Sequence, residues 1–378
     1  MPACQPCRGA GLPALPSCPL ASVAVLPTCR HFHFAILPAF CYNDLNPCPR
    51  NHLTTNFVLD AGRQAGYYAG CWLSSTVMVL ATSACWHASI DEVKKRKMTS
   101  IIAIASQKGG VGKTTTAVNL AVCLAYYHQK KTLLVDLDLS CNATACLGYE
   151  AGSFGELRFS DVLVSVLKKQ PIPLGRATLA TVVEGLSLIP GDREITSFLP
   201  ADYPFLLQET LRQAVGEYDF VLLDTPPSRS PITTNTYFAA DWLIVPVEAA
   251  PLALEGLADT IDMIQRFSRQ RANIDPERFY RILLTKRDAR ETKSNQFVAQ
   301  ELGPFKDRVL ETAIRINADI KHAQELKQSI FHYDHKSPGA TDYFNLTKEI
   351  LAYEQTRITQ NRDDRDAEPA RQAAIAAG

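Results

Sequence analysis

Residues 106–121 read SQKGGVGKTTTAVNLA, and no other stretch restricts the possible folds as much. The run before it, TSIIAIAS (99–106), is short and nearly continuously apolar, as expected of a strand buried on both faces of a parallel sheet. The run after it, TTTAVNLAVCLAYYHQ, spaces its apolar residues as a helix does. With the next apolar run, KTLLVDLDLS, the segment makes a strand, glycine-rich turn, helix and strand, a βαβ unit. Such a turn presents successive backbone N–H groups at the positive end of a helix dipole, so it is suited to an anion. Gly109, Gly110 and Gly112 allow the backbone to approach phosphate oxygens without a Cβ in the way. Lys113 is placed to neutralise β and γ phosphates, and the Thr114 hydroxyl to bind Mg²⁺. The expected nucleotide-binding set is Lys108, Gly109, Gly110, Val111, Gly112, Lys113, Thr114 and Thr115. One position departs from the usual G-x-x-x-x-G-K-[ST] spacing: Gln107 stands where glycine is expected, and a second lysine, Lys108, follows it.

The alternation continues downstream. FSDVLVSVL reads as a helix, GLSLIPG as a strand, and FLLQETLRQAVGEY as a helix leading into the strand DFVLLDTPPS. The strand WLIVPVE, the helix ALEGLADTIDMIQRFSRQ and the strand RILLTKR follow, then helices near 293–302, 318–329 and 341–356. The expected fold is α/β, a three-layer arrangement with a mostly parallel sheet covered by helices on both faces. The end, RITQNRDDRDAEPARQAAIAAG, is charged and then alanine-rich without a broad apolar face, so residues 356–378 are expected to be a disordered tail.

Residues 1–91 are of another composition: they contain no lysine or glutamate but hold eight of the eleven cysteines and nine of the twenty-three prolines. Cys4 and Cys7 form a C-x-x-C pair, yet no second pair follows at zinc-finger spacing. The uncharged stretch 64–90, followed by DEVKKRK, has the flank of a membrane span, but its glycines, serines and threonines lower its hydrophobicity. Residues 1–97 are therefore read as an atypical leader, disordered or a start-site artefact, with Met98 as the natural start of a domain covering 98–355. The net charge of the whole chain is zero, and beyond residue 97 there are 31 basic against 35 acidic residues. Any contact with nucleic acid must then come from a local patch rather than from the overall field.

Phosphoryl chemistry needs acids near the γ phosphate, at the carboxyl ends of neighbouring strands. LLVDLDLSCNATACLG supplies Asp136 and Asp138, and YDFVLLDTPPS supplies Asp224. With these in place, QKGGVGKTTTAVNLA resembles the deviant Walker A loop of the ParA/MinD group of P-loop ATPases, closest to its ParA branch. The resemblance covers nearly all of 98–355. It implies that Lys108 is the signature lysine, reaching across a nucleotide-sandwich homodimer to the partner's phosphates, so the missing glycine is a family mark. It also implies that Lys108, Asp138 and Lys113 are catalytic, with Asp138 orienting the attacking water, that Thr114, Asp136 and Asp224 lie at the metal, and that Thr225, Pro226 and Pro227 sense the γ phosphate. The segment around Asp138 departs from the family's DxDPQGNAT pattern at Leu139, Ser140 and Cys141, and loss of its proline and glycine should loosen this loop.

In the segment ETAIRINADIKHAQELKQSIF the resemblance implies DNA-backbone contacts by Arg315, Lys321 and Lys327, although Asp319 falls where another base is expected. The activity implied is slow, partner-stimulated ATP hydrolysis with ATP and Mg²⁺. The role implied is partition of plasmid or chromosome DNA by a cytoplasmic, nucleoid-associated homodimer that binds DNA without sequence preference and is stimulated by a ParB-like adaptor. Two alternatives are positioning of a protein cargo and a MinD-like membrane cycle. The latter needs an amphipathic C-terminal helix, which PARQAAIAAG does not supply, so no stable membrane association is expected. Cys123, Cys141 and Cys146 are not placed as an iron–sulfur member of the superfamily would require and read as core or loop thiols.

Overall fold

In the computed structural model the chain divides into two units between Thr82 and Ser83. The described residues are 98–376 apart from 151, 201, 251–253, 271–274, 276 and 289, all in the second unit. The expectations for residues 1–97 lie outside them.

The apolar runs form a seven-stranded sheet in the order β3-β4-β2-β5-β1-β6-β7. Its strands are β1 (Ser100–Ile104), β2 (Thr132–Asp136), β3 (Leu179–Ala180), β4 (Leu186–Ile189), β5 (Phe220–Asp224), β6 (Trp242–Glu248) and β7 (Tyr280–Thr285). All pairings are parallel except that of β3, a two-residue edge strand antiparallel to β4. Every residue of β1, β2 and β5 is buried, which is why these strands read as unbroken apolar runs. Side chains alternate between two cores. Ile101, Ala103, Leu133, Val135, Val221 and Leu223 face one; Ile102, Ile104, Leu134, Phe220 and Leu222 face the other.

Helices α3 (Phe159–Leu167), α4 (Leu206–Leu211), α5 (Pro231–Ala239), α6 (Leu254–Ser268) and α7 (Thr292–Glu301) supply the first core. Helices α1 (Lys113–Val122), α2 (Asn142–Cys146), α8 (Ala318–Glu325), α9 (Ile330–Asp334) and α10 (Pro338–Ala376) supply the second. The expected three layers are present. The helix expected at 318–329 ends earlier, at Glu325: Lys327 takes a left-handed φ of 54°, and the Ser329 side chain accepts the His332 N–H to start the separate helix α9 at Ile330. Helix α10 runs on to Ala376, through the segment 356–378.

Helix α1 is fastened to the C-terminal layer along its length. Gln324 Nε2 donates to Thr115 Oγ1, Asn119 Oδ1 accepts the Ile330 N–H at 2.8 Å, and the Thr116 and Tyr343 hydroxyls lie 3.5 Å apart.

Candidate nucleotide site

The parallel register brings three strand ends into one row, with Ile104 and Asp136 each opposite Asp224. The glycine-rich loop leaves β1 directly above this row. Gly110 and Gly112 have φ of 73° and 91°, a left-handed conformation that residues with a Cβ rarely take. Gly112 is the N-cap of α1 and offers no side-chain cap, so the first amides of the helix stay available to a ligand. The Thr285 hydroxyl, at the end of β7, holds the loop by donating to the Val111 carbonyl at 2.9 Å. Lys113 is buried and donates to the Lys108 carbonyl at 3.3 Å. Burial lowers the Lys113 pKa, and the charges of Asp224 and Asp138 oppose that fall.

Asp136 and Asp224 are both fully buried, but their surroundings differ. The Asp136 carboxylate accepts three bonds: Thr144 N–H at 2.8 Å and Thr144 Oγ1–H at 2.7 Å on one oxygen, and Asp138 N–H at 3.2 Å on the other. Burial still pushes its pKa up to about 6, with those bonds restraining the rise. Neither oxygen of Asp224 has a hydrogen-bond partner. Burial, then the neighbouring Asp136 charge, pushes the Asp224 carboxyl well above the usual range; the Thr114 hydroxyl and the Lys113 ammonium act the other way, although neither makes a well-formed bond to it. A buried acid without a partner is costly unless a cation completes it. Thr114 and Asp224 therefore fit a hard divalent cation that keeps water and phosphate oxygens in its shell. Such a site needs few protein ligands, in keeping with the absence of any metal-holding cluster of three or more His, Cys, Asp or Glu among the described residues.

Asp138 is half-buried at the loop mouth, where its Oδ1 accepts Ser140 N–H at 3.0 Å and Ser140 Oγ–H at 2.9 Å. The substituted loop is tied down by replacement contacts. Cys141 occupies the left-handed region, with φ 53°, although it has a Cβ, and it is fully buried. Its room comes from Gly191, where an added Cβ would fall 2.8 Å from Cys141 Sγ. The Gly191 N–H in turn donates to Thr144 Oγ1 at 2.8 Å, so the loop after β2 and the turn after β4 share one bonded chain ending on Asp136. Sequence reasoning did not separate Thr144 and Gly191 from their neighbours.

Lys108 lies against α6, since a Cβ on Gly256 would stand 3.2 Å from Lys108 Cβ. The Thr225 hydroxyl donates to the Ile104 carbonyl at 2.8 Å, which holds the segment leaving Asp224 against β1.

Residues 99–275 match the family described as AAA domain. The sporulation initiation inhibitor protein Soj of Bacillus subtilis is 36% identical over 260 residues, spanning 68% of this chain and 99% of that protein. The chromosome-partitioning ATPase Soj of Thermus thermophilus is 38% identical over 254 residues, spanning 66% and 95%. This chain belongs to the ParA family of P-loop partition ATPases. Among solved structures, a cobyrinic acid a,c-diamide synthase from Mycobacterium smegmatis with bound ADP and magnesium superposes with a TM-score of 0.55 at 25% identity, covering 68% of this chain and 96% of that one.

On this ParA-family chain the three basic residues singled out for DNA sit in different circumstances. Arg315 is clamped to the buried Asp342, at 2.6 Å from Nη2 to Oδ1 and 2.8 Å from Nε to Oδ2, and that carboxylate raises its pKa. Lys321 pairs with Glu325 at 3.7 Å, both exposed. Lys327 is exposed and makes no ion pair among the described residues. Asp319 lies in the first turn of α8, where a negative charge favours the helix, so its place is explained by folding. Among the described residues no helix is long and apolar enough to cross a membrane.

Proposed function

We propose that this ParA-family chain is an ATP-driven positioning switch for plasmid or chromosome DNA. The observation that carries the reading is the Asp224 carboxylate, buried and unbonded in the row of strand ends beside Lys113 and Thr114. A ligand that brings its own cation, magnesium with ATP, balances that charge. Thr114 and Asp224 would hold the ion, which would supply neutralisation of the terminal phosphate oxygens.

The amides from Gly109 to Thr115 cradle the phosphates, and Lys113 exchanges the Lys108 carbonyl for β and γ oxygens. Asp138, at the mouth of the site, orients the attacking water. Asp136, already holding Thr144 and Asp138, keeps that loop in place and reaches the metal only through its neighbours. Lys108 acts in trans, so that phosphate neutralisation, like that by an arginine finger, depends on forming the homodimer. The ATP dimer binds DNA without sequence preference, Lys321 on α8 and Lys327 in the turn after it being the cations available for phosphates, and a ParB-like adaptor stimulates slow hydrolysis and release. On this reading the protein works at the nucleoid.

The test is fluorescence anisotropy of the full chain on random duplex DNA with ATP, ADP or no nucleotide across a salt series. Binding that requires ATP and weakens steeply with salt is the expected result; equal affinity in all three states, or none in any, rejects a DNA-tethered switch.

A further inference from the structure

Gln107, at the position of the missing glycine, is engaged on every side. Its backbone N–H points to Thr260 Oγ1 at 3.4 Å, and its Nε2 donates to Met263 Sδ at 2.8 Å and the Asp259 carbonyl at 3.4 Å. All three partners are on α6. Its Oε1 accepts from Arg229 Nε at 2.9 Å, and Arg229 Nη2 also reaches the Asp259 carboxylate at 3.3 Å. Arg229 ends the stretch Thr225–Pro226–Pro227–Ser228 that leaves Asp224. The phosphate loop, the segment after Asp224 and helix α6 are thus joined at one glutamine and one guanidinium. One turn earlier on α6, Gly256 supports the stem of Lys108, a Cβ there falling 3.2 Å from Lys108 Cβ and 3.6 Å from its Cδ. The position of α6 therefore sets the direction of Lys108.

Fold stability does not account for this cluster. The Arg229 and Asp259 side chains are 57% and 64% exposed, and ion pairs that open to water contribute little. Its distinguishing property is which elements it connects.

We propose that Arg229 is a positioning residue that couples the γ phosphate held by one protomer to the presentation of Lys108 to the other. The inference rests on the reading of Lys108 as a lysine acting in trans. Thr225 sits on the row of strand ends, and the two prolines after it stiffen the path to Arg229, so a shift at Thr225 is carried to the guanidinium. The planar fork of the guanidinium grips Gln107 and Asp259 together, and α6 then moves with the phosphate loop and with Lys108. An ammonium at the same place offers no fixed fork and holds the two acceptors less rigidly.

The experiment compares Arg229→Ala, Arg229→Lys, Gln107→Ala, the Gln107→Ala/Arg229→Ala pair and Lys108→Ala in the full chain. Fluorescent ATP measures nucleotide affinity, light scattering measures dimers with ATP and with ADP, and steady-state kinetics separate kcat from KM. Arg229→Ala is expected to keep KM and nucleotide affinity within about twofold while kcat and ATP-dependent dimerisation fall about tenfold. Arg229→Lys should recover part of that loss, and the double variant should be no worse than the weaker single one, as for residues acting through one contact. If Lys108→Ala loses dimers but Arg229→Ala keeps both dimers and kcat, the coupling is wrong and the trans lysine stands. If Lys108→Ala also dimerises normally, the trans reading fails and the proposal with it. A joint loss of nucleotide affinity and Tm in Arg229→Ala would make the residue merely structural, which also overturns the proposal.

Discussion

Asp136 and Asp224 end neighbouring strands, face each other in register and are equally buried, yet one carboxylate accepts three hydrogen bonds and the other none. Sequence position gives them the same status; their partners do not. Asp136 is used up in holding Thr144 and the backbone of Asp138, which makes it an organiser of the loop that carries Asp138, the acid proposed to position water. Asp224 keeps its lone pairs at a cost to the empty fold, and a group kept at such a cost is one reserved for a ligand. Two like acids in one row can thus divide labour between architecture and binding.

The largest effect that sharpens this contrast comes from Asp224→Asn. Calorimetry should show affinity for ATP with magnesium falling by about a hundredfold, while the Tm of the nucleotide-free protein rises because the cost of holding a buried, unpartnered carboxyl beside Asp136, about 2 kcal/mol, is gone. A lower Tm with binding intact would break the comparison. Asp136→Ala should do the reverse to the empty protein, stranding the Thr144 amide and hydroxyl and costing about 2–3 kcal/mol, seen as a Tm lower by roughly 5 °C. If Asp136→Ala instead raised Tm, the two acids would share one role.

Gly191→Ala probes the same bonded chain from its far end. The added methyl meets Cys141 Sγ, so a loss of about 1–2 kcal/mol is expected in denaturant titrations, and Cys141→Gly in the same chain should restore most of it. Additive losses would disconnect the β4 turn from the loop. The last effect is in pH. Because burial raises both carboxyls, Asp136 to about 6, the native state binds more protons than the unfolded chain between about pH 4 and 6. The pair's contribution to the stability of the empty protein therefore increases as pH falls through that window. Affinity for ATP with magnesium should move oppositely, weakening as pH falls, and Asp224→Asn should flatten both profiles.

The strands that build the site were legible because a parallel strand buried on both faces leaves an unbroken apolar run, as SIIAI, TLLVD and FVLLD show. The glycine-rich loop was legible because its geometry is contained in consecutive residues. Helix α5 was not read: its sequence PITTNTYFA is poor in helix formers, and packing overrides propensity there. The two-residue strand β3 is too short to leave a pattern. The different states of Asp136 and Asp224 depend on Thr144, eight residues from Asp136, and on Gly191, still farther along, and local sequence carries no mark of such contacts. The same holds for Arg315, taken up by Asp342, and for Gln107, whose partners lie on β5's exit segment and α6.

The fastenings of α1 give the molecule an axle. A helix whose first turn sits at the phosphate loop and is itself bonded to Gln324 and Tyr343, and whose second turn is bonded to Ile330, cannot shift at one end without turning the plate of helices bolted to it. Close packing leaves no slack to absorb the movement. Whatever touches the outer side of α8 and α9 is therefore in mechanical contact with the phosphate loop through the helices on one face of the sheet, and resists or favours its rearrangement without ever approaching the nucleotide.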